Sequence, residues 1–405
     1  MKKFASILLV LCMILGMASA SAEIAPADIK IGYMTIGDEN EGYSANHINS
    51  LLRALERLGV DKSQVVWKYN IEESQAAYDA AVELAEEGCD IIFATSFGHE
   101  PYFFEAASEY PEIQFCHATG VAASSSELTN VHNYFPAIYE ARYVSGIVAG
   151  MKLNEMIADG KITAEQAKIG YVGAFPYAEV ISGYTAFFLG ARSVCPSATM
   201  EVKFTGSWAD LNLEKASAEA LIANNCVLIS QHADTTGAPS AAETAGVPCV
   251  GYNISMIAAA PNQALTSSAC DWSVYLEYAV KSMLDGTEMP KDWCGGYAEG
   301  AVYTTELNEK VVAAGTAEAV AAAEAAMKNG EIKVFDVSTF TVQPTDNGSY
   351  AVDAEGHLTS AFAFDADGNY VNDNTEAVID GEFSESSLRS APYFSLNIDG
   401  IIVAE

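Results

Sequence analysis

The sequence predicts an α/β protein of two Rossmann-like lobes, each a parallel sheet flanked by helices, with a β-rich extension at the C-terminus. Three observations support this fold class. The chain has 405 residues, half of them apolar, which is more than one hydrophobic core usually holds. Short apolar runs typical of strands alternate with longer amphipathic runs typical of helices. This alternation begins again near the middle of the chain, so we expect two successive sheets.

Eight apolar runs form the predicted sheets. The first four lie at 29–35, 64–69, 90–95 and 113–118, and the second four lie at 168–173, 200–205, 227–231 and 248–252. Helical patterns separate them, such as the run at 213–223 and the leucines spaced three or four apart that follow residue 47. Strands that alternate with helices through short loops are typical of parallel sheets.

Three extended stretches are predicted to pass between the lobes. They lie at 130–135, 264–267 and 301–303, and helices at 137–153, 273–284 and 316–328 follow them. These crossings divide the chain into an N-terminal lobe of 23–125 plus 268–300 and a C-terminal lobe of 126–267 plus 301–332. Residues 333–405 remain as an acidic, β-rich extension. A cleft between two lobes joined in this way would open and close about a hinge.

Residues 1–22 have the composition of a secretory signal. Lys2 and Lys3 precede an apolar core at 7–15, and small residues fill 18–22. The core is too short for a membrane helix, which needs about 20 apolar residues. Cys12 follows larger apolar residues instead of small ones, so we expect simple cleavage and not lipid attachment. The mature protein is therefore expected to be extracytoplasmic, in the periplasm or at the cell surface.

Charge and motifs exclude several classes of function. The formal net charge of −34 would repel nucleic acid and anionic lipid. The sequence has no Gly-x-Ser-x-Gly elbow, no phosphate loop and no Gly-x-Gly-x-x-Gly motif. None of its cysteines forms a Cys-x-x-Cys pair, so we expect no zinc site, and Cys116 and Cys226 are predicted to be buried apolar residues. We expect no catalytic centre, metal or cofactor.

The extension carries an unusual concentration of acids. Residues 334–385 contain Asp and Glu but no Lys or Arg, which is typical of a solvated face. Asp-Gly turns are predicted at 353–356 and 365–368. Residues of the second turn occupy positions of a calcium loop, namely Asp365, Asp367, Asn369, Asp373 and Glu376. However, Tyr370 stands where that loop requires glycine, so a hairpin turn is the favoured interpretation.

Large rings and polar side chains follow the predicted strands. Ligands bind at the C-terminal edges of parallel strands, so we expect these side chains to line the cleft. The candidate ligand-binding residues are Tyr43, Ser44, Phe97, Gly98, Phe175, Glu179, Trp208, His232, Asp234, Asn253 and Trp272. Rings beside a few carboxylates and amides suit a heterocyclic base, since stacking contributes about 1 to 3 kcal/mol per base. The alternative is that some rings only pack the interface between the lobes.

Six short motifs point to one known family. They are ATSFG at 94–98, HATG at 117–120, YEARY with GIVAG between 139 and 150, FFLGARSV at 187–194, and RSAPYF at 389–394. Together they resemble the basic membrane protein (BMP) family, whose members are substrate-binding lipoproteins of ABC transporters. The similarity extends from about residue 29 to residue 286, with the last motif similar to the family's C-terminus. It implies the type I periplasmic-binding-protein fold and a purine nucleoside or adenine as ligand.

The resemblance also implies roles for single residues. The stretch GYSANH is similar to the adenine-type branch of the family, in which Tyr43 would stack on the base. Trp208 and Trp272 would occupy the tryptophan positions of that branch. Three departures leave the particular base open. Tyr43 stands where the branch usually has tryptophan, Asn253 where many members have an acidic residue, and Cys270 where relatives have lysine or tryptophan.

Three functions are compatible with these features. The first is a monomeric extracytoplasmic binding protein of an ABC importer, which captures a purine base or nucleoside between its lobes and delivers it to the permease. The second is a ligand-sensing receptor component that does not transport. The third is a secreted enzyme, which would need a catalytic base and an orienting partner that the sequence does not show.

Overall fold

The computed structural model describes residues 23–342, 350–363 and 375–404. Its helices are α1 (Gly42–Leu58), α2 (Gln75–Glu86), α3 (Glu100–Glu109), α4 (Ile138–Ala158), α5 (Ala178–Val194), α6 (Leu211–Ala223), α7 (Gly237–Ala245), α8 (Ser273–Asp285) and α9 (Thr316–Lys328). Its strands are β1 (Ile31–Met34), β2 (Val65–Lys68), β3 (Ile91–Ala94), β4 (Gln114–Ala118), β5 (Val131–Tyr134), β6 (Lys168–Gly173), β7 (Thr199–Phe204), β8 (Leu228–Gln231), β9 (Cys249–Tyr252), β10 (Ala264–Cys270), β11 (Asp292–Trp293), β12 (Val302–Thr304), β13 (Tyr350–Val352), β14 (Leu358–Ala363), β15 (Thr375–Glu376), β16 (Val378–Ile379), β17 (Glu382–Phe383) and β18 (Ile401–Val403).

The first sheet has the strand order β11-β5-β4-β3-β1-β2, and its pairings are parallel. Every residue of β1, β3 and β5 is buried. Strands covered by helices on both faces need apolar side chains on both faces, which explains their continuous apolar runs. Because the strands are parallel, the ends of β1, β3 and β4 meet at one edge of the sheet. We call this sheet and its helices the first lobe.

The second sheet has the order β12-β10-β9-β8-β6-β7-β18. All its pairings are parallel except that of β10 with β12. The predicted bounds of β6 and α9 agree with the structure at both ends. We call this sheet and its helices the second lobe. The prediction of two parallel-sheet lobes is confirmed.

Glycines bring α4 and α5 unusually close together. A Cβ on Gly146 of α4 would lie 2.0 Å from the carbonyl oxygen of Phe187, and a Cβ on Gly190 of α5 would lie 2.0 Å from that of Tyr143. No side chain fits at such distances, so only glycine allows this approach. These positions lie in the GIVAG and FFLGARSV motifs, which the structure therefore explains as a helix-packing contact.

Three segments belong to a different lobe from the one that the sequence predicts. The prediction puts 130–135 in a crossing that opens the second lobe, but β5 pairs in parallel with β4 in the first sheet. It assigns residues 268–270 to the N-terminal lobe, but they complete β10 in the second sheet. It assigns 401–403 to the extension, but β18 adds to β7 of the second lobe. Strand pairing depends on which sheet edge is near, which local sequence does not encode.

The extension contains short antiparallel strands. β13 pairs with β14 around the predicted turn at 353–356, where Gly356 has a φ of 92°. The predicted signal sequence at 1–22 and the turn at 365–368 lie outside the described residues. Within the described ranges, the model contains no helix long and apolar enough to cross a bilayer. Cys116 and Cys226 are buried, as predicted.

Candidate functional site

A cavity of about 550 Å³ lies between the two lobes. Residues that follow β1, β3 and β4 line it from the first lobe, and residues at the ends of β6, β7, β8 and β9 line it from the second. Its volume is within the range of about 300 to 1,000 Å³ that is usual for small-molecule sites. The cavity therefore lies where the edges of two parallel sheets would present a ligand site.

The structure brings six of the eleven candidate residues to this cavity. They are Tyr43, Phe97, Glu179, Trp208, His232 and Asp234. The other five candidates are not among the lining residues, namely Ser44, Gly98, Phe175, Asn253 and Trp272. Each of these five contacts a residue that does line the cavity or shapes the loop that carries one.

Tyr43 is held at the N-terminus of α1. The Glu41 carboxylate caps the helix by accepting the backbone N–H groups of Tyr43 and Ser44. The Ser44 hydroxyl accepts the N–H of Gly37 at 3.0 Å, so it shapes the loop instead of facing the cavity. The Tyr43 hydroxyl donates to the carbonyl of Thr95 at 2.5 Å, which fixes its ring against the first lobe.

Trp272 lies in the layer behind Tyr43. It is 1% exposed and stacks on His47 with ring centroids 4.0 Å apart and on Phe135 with centroids 5.9 Å apart. The Tyr43 ring meets His47 and Trp272 edge-on, at 4.6 Å and 6.0 Å. Burial lowers the pKa of His47 well below its usual value, so this imidazole is neutral. Trp272 thus supports the orientation of Tyr43 from inside the core.

Aromatic rings from both lobes meet beside the cavity. Phe97 of the first lobe and Tyr177 of the second have ring centroids 5.9 Å apart, and both rings are partly exposed. Phe175 stacks on Tyr177 at 5.2 Å and meets Trp208 edge-on at 5.1 Å. Phe175 therefore supports two lining rings without lining the cavity itself. Sequence reasoning missed Tyr177, although it lies in the same loop as Phe175.

Because Gly98 has no side chain, the Glu73 carboxylate can pack against the loop that carries Phe97. A Cβ on Gly98 would lie 2.6 Å from the carboxyl carbon of Glu73, so any side chain would displace this acid. Glu73 accepts the N–H of Gly98 at 2.8 Å and the hydroxyl of Ser96 at 2.7 Å. These bonds fix the loop that carries Phe97.

Thr119 lines the cavity in a strained conformation. Its φ of 69° is in the left-handed region, where a β-branched residue is a rare outlier. Its buried hydroxyl has no hydrogen-bond partner within the described part of the chain. The buried Glu100 carboxylate holds the following loop by accepting the N–H groups of Val121 and Ala122. Sequence reasoning noted Thr119 only within the HATG motif.

A buried arginine supports the acid and the histidine of the second lobe. The Glu179 carboxylate lies 2.7 Å from Nε2 of His232. Arg142 of α4 donates to the carbonyl of Gln231 at 2.7 Å, and its guanidinium lies 3.6 Å from the ring centre of Tyr252. The second carboxylate oxygen of Glu179, Oε1, is buried and has no partner in the described ranges. Glu179 and His232 therefore form a hydrogen-bonded pair in the wall of the cavity.

Asp234 lies where the two lobes touch. Asn253 donates to its carboxylate at 2.6 Å, so this asparagine supports Asp234 from outside the cavity. Burial, and then the charges of Glu41 and Glu214, raise the pKa of Asp234 well above its usual value. Gly42 of the first lobe lies so near that a Cβ there would be 3.0 Å from the backbone oxygen of Asp234. The two lobes are therefore in contact beside the cavity.

The C-terminal extension also reaches the cavity. Arg389, Ala391 and Pro392 line it beside residues of both lobes. Reasoning from strand ends could not find them, because they follow no strand of either large sheet. Their RSAPYF motif was the only sequence signal for this position.

The arrangement suits a small, flat ligand with hydrogen-bond donors. Tyr43 and Trp208 bring aromatic rings to the cavity from opposite lobes, and most of the lining is apolar. Glu179 and Asp234 add two acidic side chains to the wall, and the raised pKa of Asp234 favours its neutral form. Pockets with apolar walls and a few placed polar groups are typical of ligand binding.

Two parallel-sheet lobes that close over a ligand-sized cavity define the class of type I periplasmic-binding proteins. A family model for Bmp, described as "ABC transporter substrate-binding protein PnrA-like", matches residues 35–337. The chain therefore belongs to the Bmp family of ABC transporter substrate-binding proteins, as its sequence motifs predict. This family is extracytoplasmic.

Individual relatives agree with this assignment. The chain is 32% identical over 295 residues to a purine-binding protein of Brucella abortus (strain 2308), covering 73% of this chain and 80% of the relative. It is 33% identical over 258 residues to a putative ABC transporter glucose-binding protein of Haloferax volcanii, covering 64% and 62%. A solved solute-binding protein of an ABC transporter system from Aeropyrum pernix K1 has the same fold, with a TM-score of 0.64 and 19% identity, covering 79% of this chain and 95% of that one.

Proposed function

We propose that this chain captures a purine base or nucleoside between its lobes and delivers it to the permease of an ABC importer. One observation carries the proposal: rings from both lobes, Tyr43 and Trp208, line one cavity together with the acidic side chain of Glu179. A purine offers a flat face to the rings and N–H groups to the Glu179 side chain. Stacking of this kind contributes about 1 to 3 kcal/mol per base in nucleic-acid binders.

The relatives support two classes of ligand. The name of the Brucella protein supports a purine, and the name of the Haloferax protein supports glucose. A sugar would also present an apolar face to a ring and hydroxyl donors to a carboxylate. A purine fits the cavity better because aromatic rings line it from both lobes. Glucose is the second candidate.

The predicted signal sequence at 1–22 supports export from the cytoplasm. We propose that the exported chain works as a monomer. Closure of two lobes over a ligand is a known way of sequestering it. A closed binding protein presents a rigid surface that a permease distinguishes from the open form. We therefore assign a function in which the ligand is bound and released unchanged.

A binding panel tests the proposal. Thermal unfolding of residues 23–405 would be followed with adenine, guanine, hypoxanthine, adenosine, guanosine and glucose, and each mixture would be checked for products. A ligand at 100 times its Kd adds about 2.7 kcal/mol to the unfolding free energy, which raises the melting temperature. We expect that rise with a purine and no product. A rise with glucose alone would select the second candidate, and turnover would refute both.

A further inference from the structure

The segment 384–394 of the C-terminal extension lies beyond residue 337, where the family match ends. Nevertheless Arg389, Ala391 and Pro392 line the same cavity as the two lobes. The cavity therefore has walls from three parts of the chain. Ala391 and Pro392 are buried, so this part of the extension is packed and does not lie on the surface.

Hydrogen bonds attach this segment to the first lobe. The backbone N–H and the hydroxyl of Ser390 donate to the two carboxylate oxygens of Asp292, each at 2.5 Å. Asp292 belongs to β11, which pairs with β5 at the edge of the first sheet. Two bonds to one charged carboxylate fix both the position and the direction of the chain beside Ala391.

Other contacts attach the segment to the second lobe. The buried Glu385 carboxylate accepts the N–H groups of Tyr393 and Phe394 at 2.7 Å and 2.8 Å, which closes the segment into a loop. Tyr139 of α4 donates to the carbonyl of Glu385 at 3.2 Å. Further along, Arg192 of α5 pairs with Asp399 at 2.7 Å just before β18 joins the second sheet.

The loop is also anchored by aromatic packing. Phe394 is fully buried and stacks on Phe335 with ring centroids 4.6 Å apart. It meets Phe383 edge-on at 4.9 Å. A side chain buried in this way fixes the backbone next to it, so Ala391 and Pro392 have a defined position when the lobes are closed.

We infer that residues 389–392 form a third wall of the ligand site, which contacts the bound molecule and sets the upper limit of its size. The inference rests on the proposed function. Ala391 and Pro392 are small and apolar, so they leave space that a larger side chain would fill. A ligand group that extends past the two lobes would meet this wall. Selectivity between ligands of different length would then depend on the extension as well as on the lobes.

A matched pair of substitutions tests the inference in the full mature chain. Ala391→Leu places a larger side chain at the wall, and Ala351→Leu places the same one at an exposed position of the extension. Titration calorimetry would use the purine that binds the parent most tightly. We expect at least a tenfold loss of affinity for Ala391→Leu and an unchanged affinity for Ala351→Leu. Equal affinity in the parent and both variants would overturn the inference of a third wall and leave the proposed function intact.

A second measurement covers the case in which Ala391→Leu does not fold. The thiol of an Ala391→Cys variant would be modified with a maleimide, with and without saturating ligand. The natural cysteines at described positions are buried or partly buried, so the parent supplies the background rate. We expect ligand to slow the modification at least fivefold. An unchanged rate would overturn the inference, and a parent that binds no member of the panel would overturn the proposed function together with it.

Discussion

Arg142 fixes the tautomer of His232. A guanidinium nitrogen of Arg142 lies 3.2 Å from Nδ1 of His232. A guanidinium group only donates hydrogen bonds, so Nδ1 must accept and carries no proton. The ring proton is therefore on Nε2, where it is donated to Glu179 at 2.7 Å. One carboxylate oxygen of Glu179 is thereby used within the protein.

Replacing Arg142 should raise the pKa of His232. Burial lowers this pKa most and the charge of Arg142 lowers it further, whereas Glu179 raises it. An Arg142→Met variant removes the positive charge and the donor at Nδ1, so protonation becomes easier. NMR titration of the imidazole resonances measures the change. The matched variant Glu179→Gln should shift the pKa downward, and a value that is the same in all three proteins would contradict the assigned contacts.

Removing the ring of Tyr43 should weaken binding far more than it lowers stability. Loss of a stacking contact of about 1 to 3 kcal/mol corresponds to roughly 5- to 150-fold in affinity. Tyr43→Ala should show such a loss by calorimetry. Tyr43→Phe keeps the ring and loses only the bond to Thr95, so it should bind within about threefold of the parent. Equal affinity for Tyr43→Ala and the parent would assign the ring to packing alone.

A side chain on Gly42 should oppose closure of the lobes. Its Cβ would lie 3.0 Å from the backbone oxygen of Asp234, closer than ordinary packing allows. Gly42→Val should therefore bind ligand at least tenfold more weakly, and small-angle scattering should show a larger radius with ligand than in the parent. Asn49→Val is the control because Asn49 is exposed on the same helix. The same closed radius in both variants would show that this contact does not limit closure.

The titration of Glu214 should lower the free energy of unfolding as pH rises. Burial raises its pKa from 4.5 to about 7, so the folded chain holds this proton more tightly than the unfolded chain. The resulting stabilisation is complete below pH 4.5 and is lost as pH rises through 7. The loss is up to about 1.4 kcal/mol per pH unit.

Urea unfolding between pH 4.5 and 8 measures this effect. Glu214→Gln should remove that part of the pH dependence, because an amide has no proton to lose in this range. Glu219→Gln changes an exposed glutamate of the same helix and should follow the parent. Parallel curves for the parent and Glu214→Gln would show that Glu214 titrates normally in the folded protein.

The fold was predictable because its signals are local. Continuous apolar runs marked the eight main strands, and the predicted bounds of β6 and α9 matched the structure at both ends. The lobe to which a strand belongs was less predictable. β5 pairs with β4 and β18 pairs with β7 through backbone hydrogen bonds, and any extended segment that reaches an unpaired strand can pair there.

The site was predictable in part for a related reason. Tyr43 and Asp234 lie in the segments that follow β1 and β8, so parallel-sheet geometry predicted their position at the cavity. Trp272 also stands at a strand end, but its side chain turns into the core and stacks on His47. Pro392 lies in a segment that reaches the cavity only through tertiary contacts. Position along a strand predicts the edge of the sheet and not the direction in which a side chain points.

The sequence by itself determined the alternation of strands and helices, the two parallel lobes and the family, because each rests on apolar periodicity or short motifs that lie within a few residues. Only the tertiary structure decided which rings face the cavity, that Arg142 supports Glu179 through His232, and that the extension completes the walls. These features depend on contacts between residues far apart in the chain, and such contacts exist only once both lobes have packed together.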